Sequence, residues 1–256
     1  MAEVAGVQDT AIVAAYPSSM QRHVLLLLPL LVASAPARVA RAQEKAGRYP
    51  TMAPAEQYLE SSRDGEIALA RSAAPPSVSD GAEVLVLGRH GYETAVKGKN
   101  GFVCFVERSW TAGFQDPEFW NARERAPNCF NPPAVRTVLP QYLRRAEWVM
   151  AGASLPQVIE KTRAEFEAGR FVVPEAGSFS FMLSRQGYLS DEAGGPWLPH
   201  VMFFVPHGQA AAWAAGLEGS PVLGAEAGPY EPSVLFIPVR RWSDGSPGPA
   251  PVAHTH

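Results

Sequence analysis

Residues Val84–Trp110 read VLVLGRHGYETAVKGKNGFVCFVERSW, and the reading of this stretch decides the fold. Val84-Leu85-Val86-Leu87 is an unbroken apolar run of strand length, the composition of a strand covered on both faces. Gly88 and Gly91 bracket Arg89-His90 and mark a bend. Tyr92–Lys97 then alternates, with Tyr92, Thr94 and Val96 on one side and Glu93, Ala95 and Lys97 on the other. Gly98-Lys99-Asn100-Gly101 reads as a hairpin turn, because Asn-Gly tolerates positive φ at both central positions. Phe102–Arg108 is the expected return strand. Phe102, Cys104 and Val106 share one face; Val103, Phe105 and Glu107 share the other. Both faces are mostly apolar, which predicts a central strand with cover on each side.

Working outward, helical character runs over Ala53–Ala73, with Pro54 in its first turn, a break near Gly65 and Asp64 as the cap of the second piece. Thr111–Thr137 (TAGFQDPEFWNARERAPNCFNPPAVRT) is too long for an ordinary connection, and its Phe114, Phe119, Trp120 and Phe130 predict a loop packed down as a lid over one sheet face. Two helices follow. Pro140–Ala151 carries Leu139, Leu143, Ala146 and Met150 at helical spacing, and Ser154-Leu-Pro-Gln157 is a capping box opening the second. Strands are expected at Ser178–Leu183, His200–Val205 and Ser233–Arg240, the last near an edge or its own end because of Pro238. Strands joined by hairpins, with helices grouped between them, define an α+β fold: a mainly antiparallel sheet of about five to six strands, a helical hairpin and an N-terminal helix packed on it.

The chain has 256 residues, 46% hydrophobic and 18% charged, with a net charge of −3. That supports one sizeable core and offers no basic surface for nucleic acid. Near its start, Met20-Gln-Arg22-His23 precedes the apolar decapeptide Val24–Ala33, and Ala40-Arg41-Ala42 has the small-x-small form of a cleavage site. A run of this length is too short to span a bilayer. The expectation is a signal peptide beginning at Met20, with residues 1–19 an extension ahead of the true start and a cut before Gln43. Residues 43–242 then form one domain, and residues 243–256, rich in Pro, Gly and Ser, an unstructured tail. The product is expected in the periplasm or the medium, without a stable membrane span after cleavage. In such a compartment Cys104 and Cys129 are expected to pair as a disulfide.

Common catalytic motifs do not occur: there is no GxGxxG, Gly-Lys-Ser/Thr, HExxH, CxxC or GxSxG. No cofactor or metal is expected. Two residues stand out as candidates for chemistry. His200 opens an apolar strand beside a polar loop, a place suited to a general base. Glu107 is a carboxylate on a mostly apolar strand face, where burial raises a pKa. Trp120, Tyr188 and Trp197 are the candidate ligand-contacting aromatics. The first functional expectation is an exported domain binding a small molecule or a cell-envelope partner. The alternative is a small exported hydrolase or metal-assisted enzyme using His200 with a carboxylate. A purely structural envelope protein is the third.

Overall fold

The computed structural model describes residues 49–191 and 198–249. In it β1 (Glu83–Gly88) and β2 (Gly91–Val96) pair antiparallel, with Gly88 opposite Gly91, so the tight hairpin is made by Arg89-His90. The Asn100-Gly101 hairpin expected from the sequence does not form. After β2 the chain crosses to the other side of β1, and β3 (Val103–Glu107) pairs with β1 in parallel. Gly98 makes that crossing possible. A Cβ at this position would lie 2.2 Å from the Glu83 nitrogen, closer than any side chain can approach. The crossing is held by Lys99 N–H donating to the Gly81 carbonyl at 2.8 Å and Asn100 Nδ2 donating to the Val78 carbonyl at 2.7 Å. Gly98→Ala is expected to cost about 2 kcal/mol through this overpacking, read as a shifted urea midpoint; an unchanged midpoint would mean the crossing has slack.

Beyond β3 the sheet continues with β4 (Ala126–Phe130), β5 (Phe179–Met182), β6 (His200–Val205), β7 (Leu223–Ala225) and β8 (Ser233–Pro238), in the order β2-β1-β3-β4-β5-β6-β8-β7. The fold is therefore α+β with one open, mostly antiparallel sheet, of eight strands among the described residues rather than five to six. One added strand, β4, lies inside Thr111–Thr137. That stretch is not a lid: it supplies a buried central strand. Pro127 conceals it in the sequence by removing a ladder donor. The structure tolerates Pro127 because β5 pairs with β4 only at Cys129 and Phe130.

Among the described residues five α-helices accompany the sheet: α1 (Arg63–Arg71), α2 (Pro76–Ser79), α3 (Pro132–Thr137), α4 (Leu139–Met150) and α5 (Leu155–Glu167). The cap of α1 is Ser62, which accepts from the Gly65 N–H at 3.1 Å, and not Asp64. At the start of α5 the Ser154 N–H donates to Gln157 Oε1 at 2.8 Å. No described helix is long and apolar enough to cross a membrane.

Both sheet faces are covered. On one, Val84, Cys104, Val106 and Cys129 pack against Ala70, Ala73 and Ala74 at and beyond the end of α1. On the other, Phe105, Phe130, Met182, Met202 and Phe204 pack against Val138, Leu139 and Tyr142. Every residue of β3 is consequently buried. Cys104 and Cys129 sit directly opposite each other on β3 and β4 and are disulfide-bonded. A third cluster joins Leu87 of β1 and Ala146 and Val149 of α4 to Tyr58, Trp110, Trp120, Trp148, Val158 and Phe171. Residues 243–249, expected as part of an unstructured tail, turn back on the chain: Trp242 N–H bonds the Ser246 carbonyl at 3.0 Å and Gly248 N–H the Arg240 carbonyl at 2.8 Å.

Candidate functional site

Glu107 ends β3 on the face that α4 covers, and only 6% of it is exposed. Its Oε1 accepts from Asn128 Nδ2 at 2.6 Å, across the β3–β4 pair. Its Oε2 lies 3.1 Å from Thr111 Oγ1, in the turn Ser109–Thr111 that follows the strand. Burial pushes the carboxyl up to about 7, against these two hydrogen bonds, which favour its charged form. The Thr111 hydroxyl also lies 2.8 Å from the Arg108 carbonyl. A hydroxyl has one hydrogen. When Glu107 carries a proton, the carboxyl donates to Thr111 and Thr111 donates to Arg108. When Glu107 is ionised, Thr111 turns its hydrogen to the carboxylate and the Arg108 carbonyl loses it.

Thr111 is also a wall of a cavity of about 190 Å³. Gln141, Tyr142 and Arg145 of α4 form a second wall. Glu226, Ala227, Glu231 and Pro232, between β7 and β8, and Val234 of β8 close it. Arg145 Nη2 donates to Glu231 Oε1 at 3.1 Å, its Nη1 donates to the Ala112 carbonyl at 3.3 Å, and its guanidinium lies 4.2 Å over the Phe114 ring. Burial lowers the Arg145 pKa, and the Glu231 carboxylate opposes that. Glu226 is held by the Ser233 hydroxyl and by the N–H groups of Gly208 and Ala210; these bonds, Ser233 first, keep its carboxyl below its ordinary range. Burial raises the Tyr142 hydroxyl well above its ordinary value, with the Glu107 charge adding to the effect. Two donors of wall residues, Gln141 Nε2 and Arg145 Nε, have almost no accessible surface, toward the cavity or toward solvent, and no acceptor among the described residues. Behind Glu107, Asn128 Oδ1 is likewise buried without a donor.

His200 stands elsewhere. It is on β6, with β4 and β5 between it and β3, so roughly 14 Å of sheet, three spacings of about 4.8 Å, separates it from Glu107. Its Nδ1–H donates to the Leu198 carbonyl at 2.7 Å, and its ring packs on Phe236 with centroids 5.3 Å apart. Burial lowers its pKa, which favours the neutral imidazole. Trp120 is buried in the third cluster, edge-on to Phe119 at 4.8 Å. Tyr188 lies beneath the Arg123 guanidinium, 4.7 Å from it, with its hydroxyl bonded to Asp191. Trp197 falls outside the described residues. Of the residues singled out in the sequence, Glu107 bonds to a residue of the cavity wall, Thr111.

Near Glu107, Glu118 and Glu124 are also buried. Glu118 accepts from Asn121 Nδ2 at 2.8 Å and from the Asp191 N–H. Burial raises Glu124 well above the carboxylate range, and the charges of Glu107, Asp116 and Glu118 add to the shift. No group of three or more His, Cys, Asp or Glu among the described residues is arranged to hold a metal ion.

The cavity side chains Thr111, Gln141, Tyr142, Arg145 and Glu231 were not singled out in the sequence. One signal was present: Gln141, Arg145 and Trp148 repeat at helical spacing beside Tyr142, Ala146 and Val149, and all six are buried. A helix with two adjacent buried stripes, one of them polar, buries that polar stripe against partners. No protein-family model, curated protein or solved structure matches the chain.

Proposed function

We propose that this chain is an exported domain that binds a small molecule in the cavity between α4 and the 226–234 segment. The observation that carries the reading is the cavity itself, of about 190 Å³, lined by the polar residues Thr111, Gln141, Arg145, Glu226 and Glu231 beside Tyr142, Pro232 and Val234. A concave site with a few polar groups among apolar ones is the usual form of a small-molecule pocket. The export half rests on the leader-like run Met20–Ala42 and is compatible with the disulfide.

The test is a broad small-molecule screen on isotope-labelled protein expressed from Met20 in an exporting host. The recovered chain is expected to begin at Gln43 and hold no free thiol, and at least one compound is expected to shift the amide signals of Thr111, Gln141 and Arg145. A cytosolic product with an intact leader and two free thiols would overturn the export half. A screen in which nothing moves those signals would overturn the binding half.

One observation favours a hydrolytic second reading. Glu107, titrating near 7 and bonded to a cavity-wall hydroxyl, has the properties of a general acid or base. In that reading Glu107 acts without His200, which the sheet holds apart from it.

A further inference from the structure

Strand β3 ends at Glu107, and β4 begins opposite it, with Ala126 as the register partner. Residues 108–125 therefore leave and re-enter the sheet through one neck. Two buried carboxyls stand there, Glu107 at the start and Glu124 near the end, each 6% exposed. Glu107 is held by Asn128 and Thr111. The Glu124 carboxyl makes no hydrogen bond or ion pair to any described residue and feels only charges. Three of those are acidic: Glu107 itself, and Asp116 and Glu118 from within the segment. Tyr92 of β2 and Tyr142 of α4 face Glu107 with hydroxyl groups. The cation facing Glu124, Arg108, has its charge matched by Glu66 at 2.9 Å. Glu107 and Glu124 ionised together would be buried, close and uncompensated. Such a pair keeps a proton or lets water in.

Water has one route. Gly113, Gln115, Asp116 and Pro117 are exposed, whereas Ser109, Trp110 and residues 118–121 are buried. The exposed stretch covers both acids: Thr111 bonds Glu107, and the Asp116 charge acts on Glu124. Lifting residues 111–116 admits water to Glu107 and takes a negative charge away from Glu124. The same stretch walls the cavity through Thr111 and Gly113, and Arg145 donates to its Ala112 carbonyl at 3.3 Å.

We propose that the neck is a proton lock: while Glu107 and Glu124 hold protons, residues 111–116 stay closed on the cavity, and once they ionise the stretch opens locally. The lock stands whether or not the cavity takes a ligand, so it and the binding reading fail separately. Its sign follows from burial, which raises both carboxyls, Glu107 to about 7 and Glu124 well above the ordinary 4.5, with the neighbouring acids adding to the second. Opened to water, both return toward 4.5. The closed state keeps protons that the open state releases, so closure is strongest at acid pH and weakens as pH rises through the native values.

Hydrogen exchange at the Thr111, Ala112 and Asp116 amides tests it. These N–H groups are bonded within the segment, to the Arg108, Ser109 and Gly113 carbonyls. Their opening equilibrium, the exchange rate divided by the intrinsic rate, is expected to rise about tenfold or more between about pH 6 and about pH 8, tenfold being the share of Glu107 alone. The rise is expected to persist unchanged in about 1 M urea, which separates local opening from global unfolding. Glu107→Gln/Glu124→Gln is expected to flatten it to less than about twofold. Either single variant, should the double fail to fold, is expected to give a shallower rise than wild type. A flat wild-type profile, a rise as steep in the variants as in wild type, or exchange that urea accelerates as much as it does in α5 would overturn the lock.

Discussion

Glu107→Gln is expected to stabilise the protein by about 3 kcal/mol at about pH 8 and to change it little near pH 4. Burial pushes the native carboxyl up to about 7, whereas in the unfolded chain it titrates near its ordinary value of 4.5. Between those two values the native state holds a proton that the unfolded state has released. Stability therefore falls as pH rises through this window, and the contribution present at acid pH is gone above the native value. The cost is largest once both states are ionised, when a charged carboxylate is confined between Asn128 and Thr111. Gln is nearly isosteric and cannot ionise. Its Oε1 can accept from Asn128 and its Nε2 can donate to Thr111, as the protonated acid does. The quantity to measure is the difference in unfolding free energy between variant and wild type across the pH range. It is expected to climb from near zero below 4.5 to a plateau above 7. Glu124 has its own raised carboxyl, but it is present in both proteins and cancels to first order, leaving only the part of its shift that Glu107 causes. A flat difference curve would mean that Glu107 is solvated in the native state.

That Glu107 was a candidate at all follows from local alternation. Residues of one parity on Phe102–Arg108 are apolar until Glu107, and period two needs no knowledge of partners. The burial of β3 on both faces was legible for the same reason. The route between β2 and β3 was not. Asn100-Gly101 and Gly88–Gly91 both carry hairpin chemistry, and local propensity does not rank them. What ranks them is the close pass of Gly98 over Glu83, a contact that exists only once β3 lies on the far side of β1. Strand β4 was hidden by Pro127, which reads as a breaker until the short reach of β5 is known. The cavity was legible only on its α4 side, where Gln141 and Arg145 repeat at helical spacing. The partner of Arg145 across it is Glu231, 86 positions away, and no periodicity in α4 points to that residue. His200 shows a related limit: a strand-end histidine beside a loop has an address suited to chemistry, but only the strand order puts β4 and β5 between it and Glu107.

Arg108→Met is expected to cost about 3–5 kcal/mol, the largest single loss anticipated in this protein. Arg108 is wholly buried, and its Nη2 meets Glu66 Oε1 at 2.9 Å between side chains that are 0% and 3% exposed. Its Nε donates to the Tyr58 carbonyl at 2.6 Å, and its Nη1 to the Val106 carbonyl. One guanidinium thus ties α1, the turn at Tyr58 and the end of β3 together. Removing it leaves the Val106 carbonyl with the Tyr92 hydroxyl at 2.7 Å, and Glu66 with the Leu87 N–H at 3.1 Å. The Tyr58 carbonyl loses its donor, and a carboxylate remains buried without its ion-pair partner. Breaking one side of a buried pair is much more damaging than replacing both. The double variant Glu66→Met/Arg108→Met is therefore expected to be more stable than Arg108→Met alone, with a coupling of roughly 1–3 kcal/mol in a double-mutant cycle. Urea unfolding of wild type, both single variants and the double variant measures it. A single variant within about 1 kcal/mol of wild type, or a strictly additive cycle, would show that water reaches Glu66 and that the pair is not the clamp described. The consequence reaches the cavity, because the backbone carbonyl of the same arginine receives the Thr111 hydroxyl at 2.8 Å. Loosening Arg108 frees the turn that carries Thr111, so on the binding reading proposed above a variant that still folds is expected to lose ligand affinity along with stability, while the double variant, with its clamp replaced by packing, is expected to recover stability more fully than affinity.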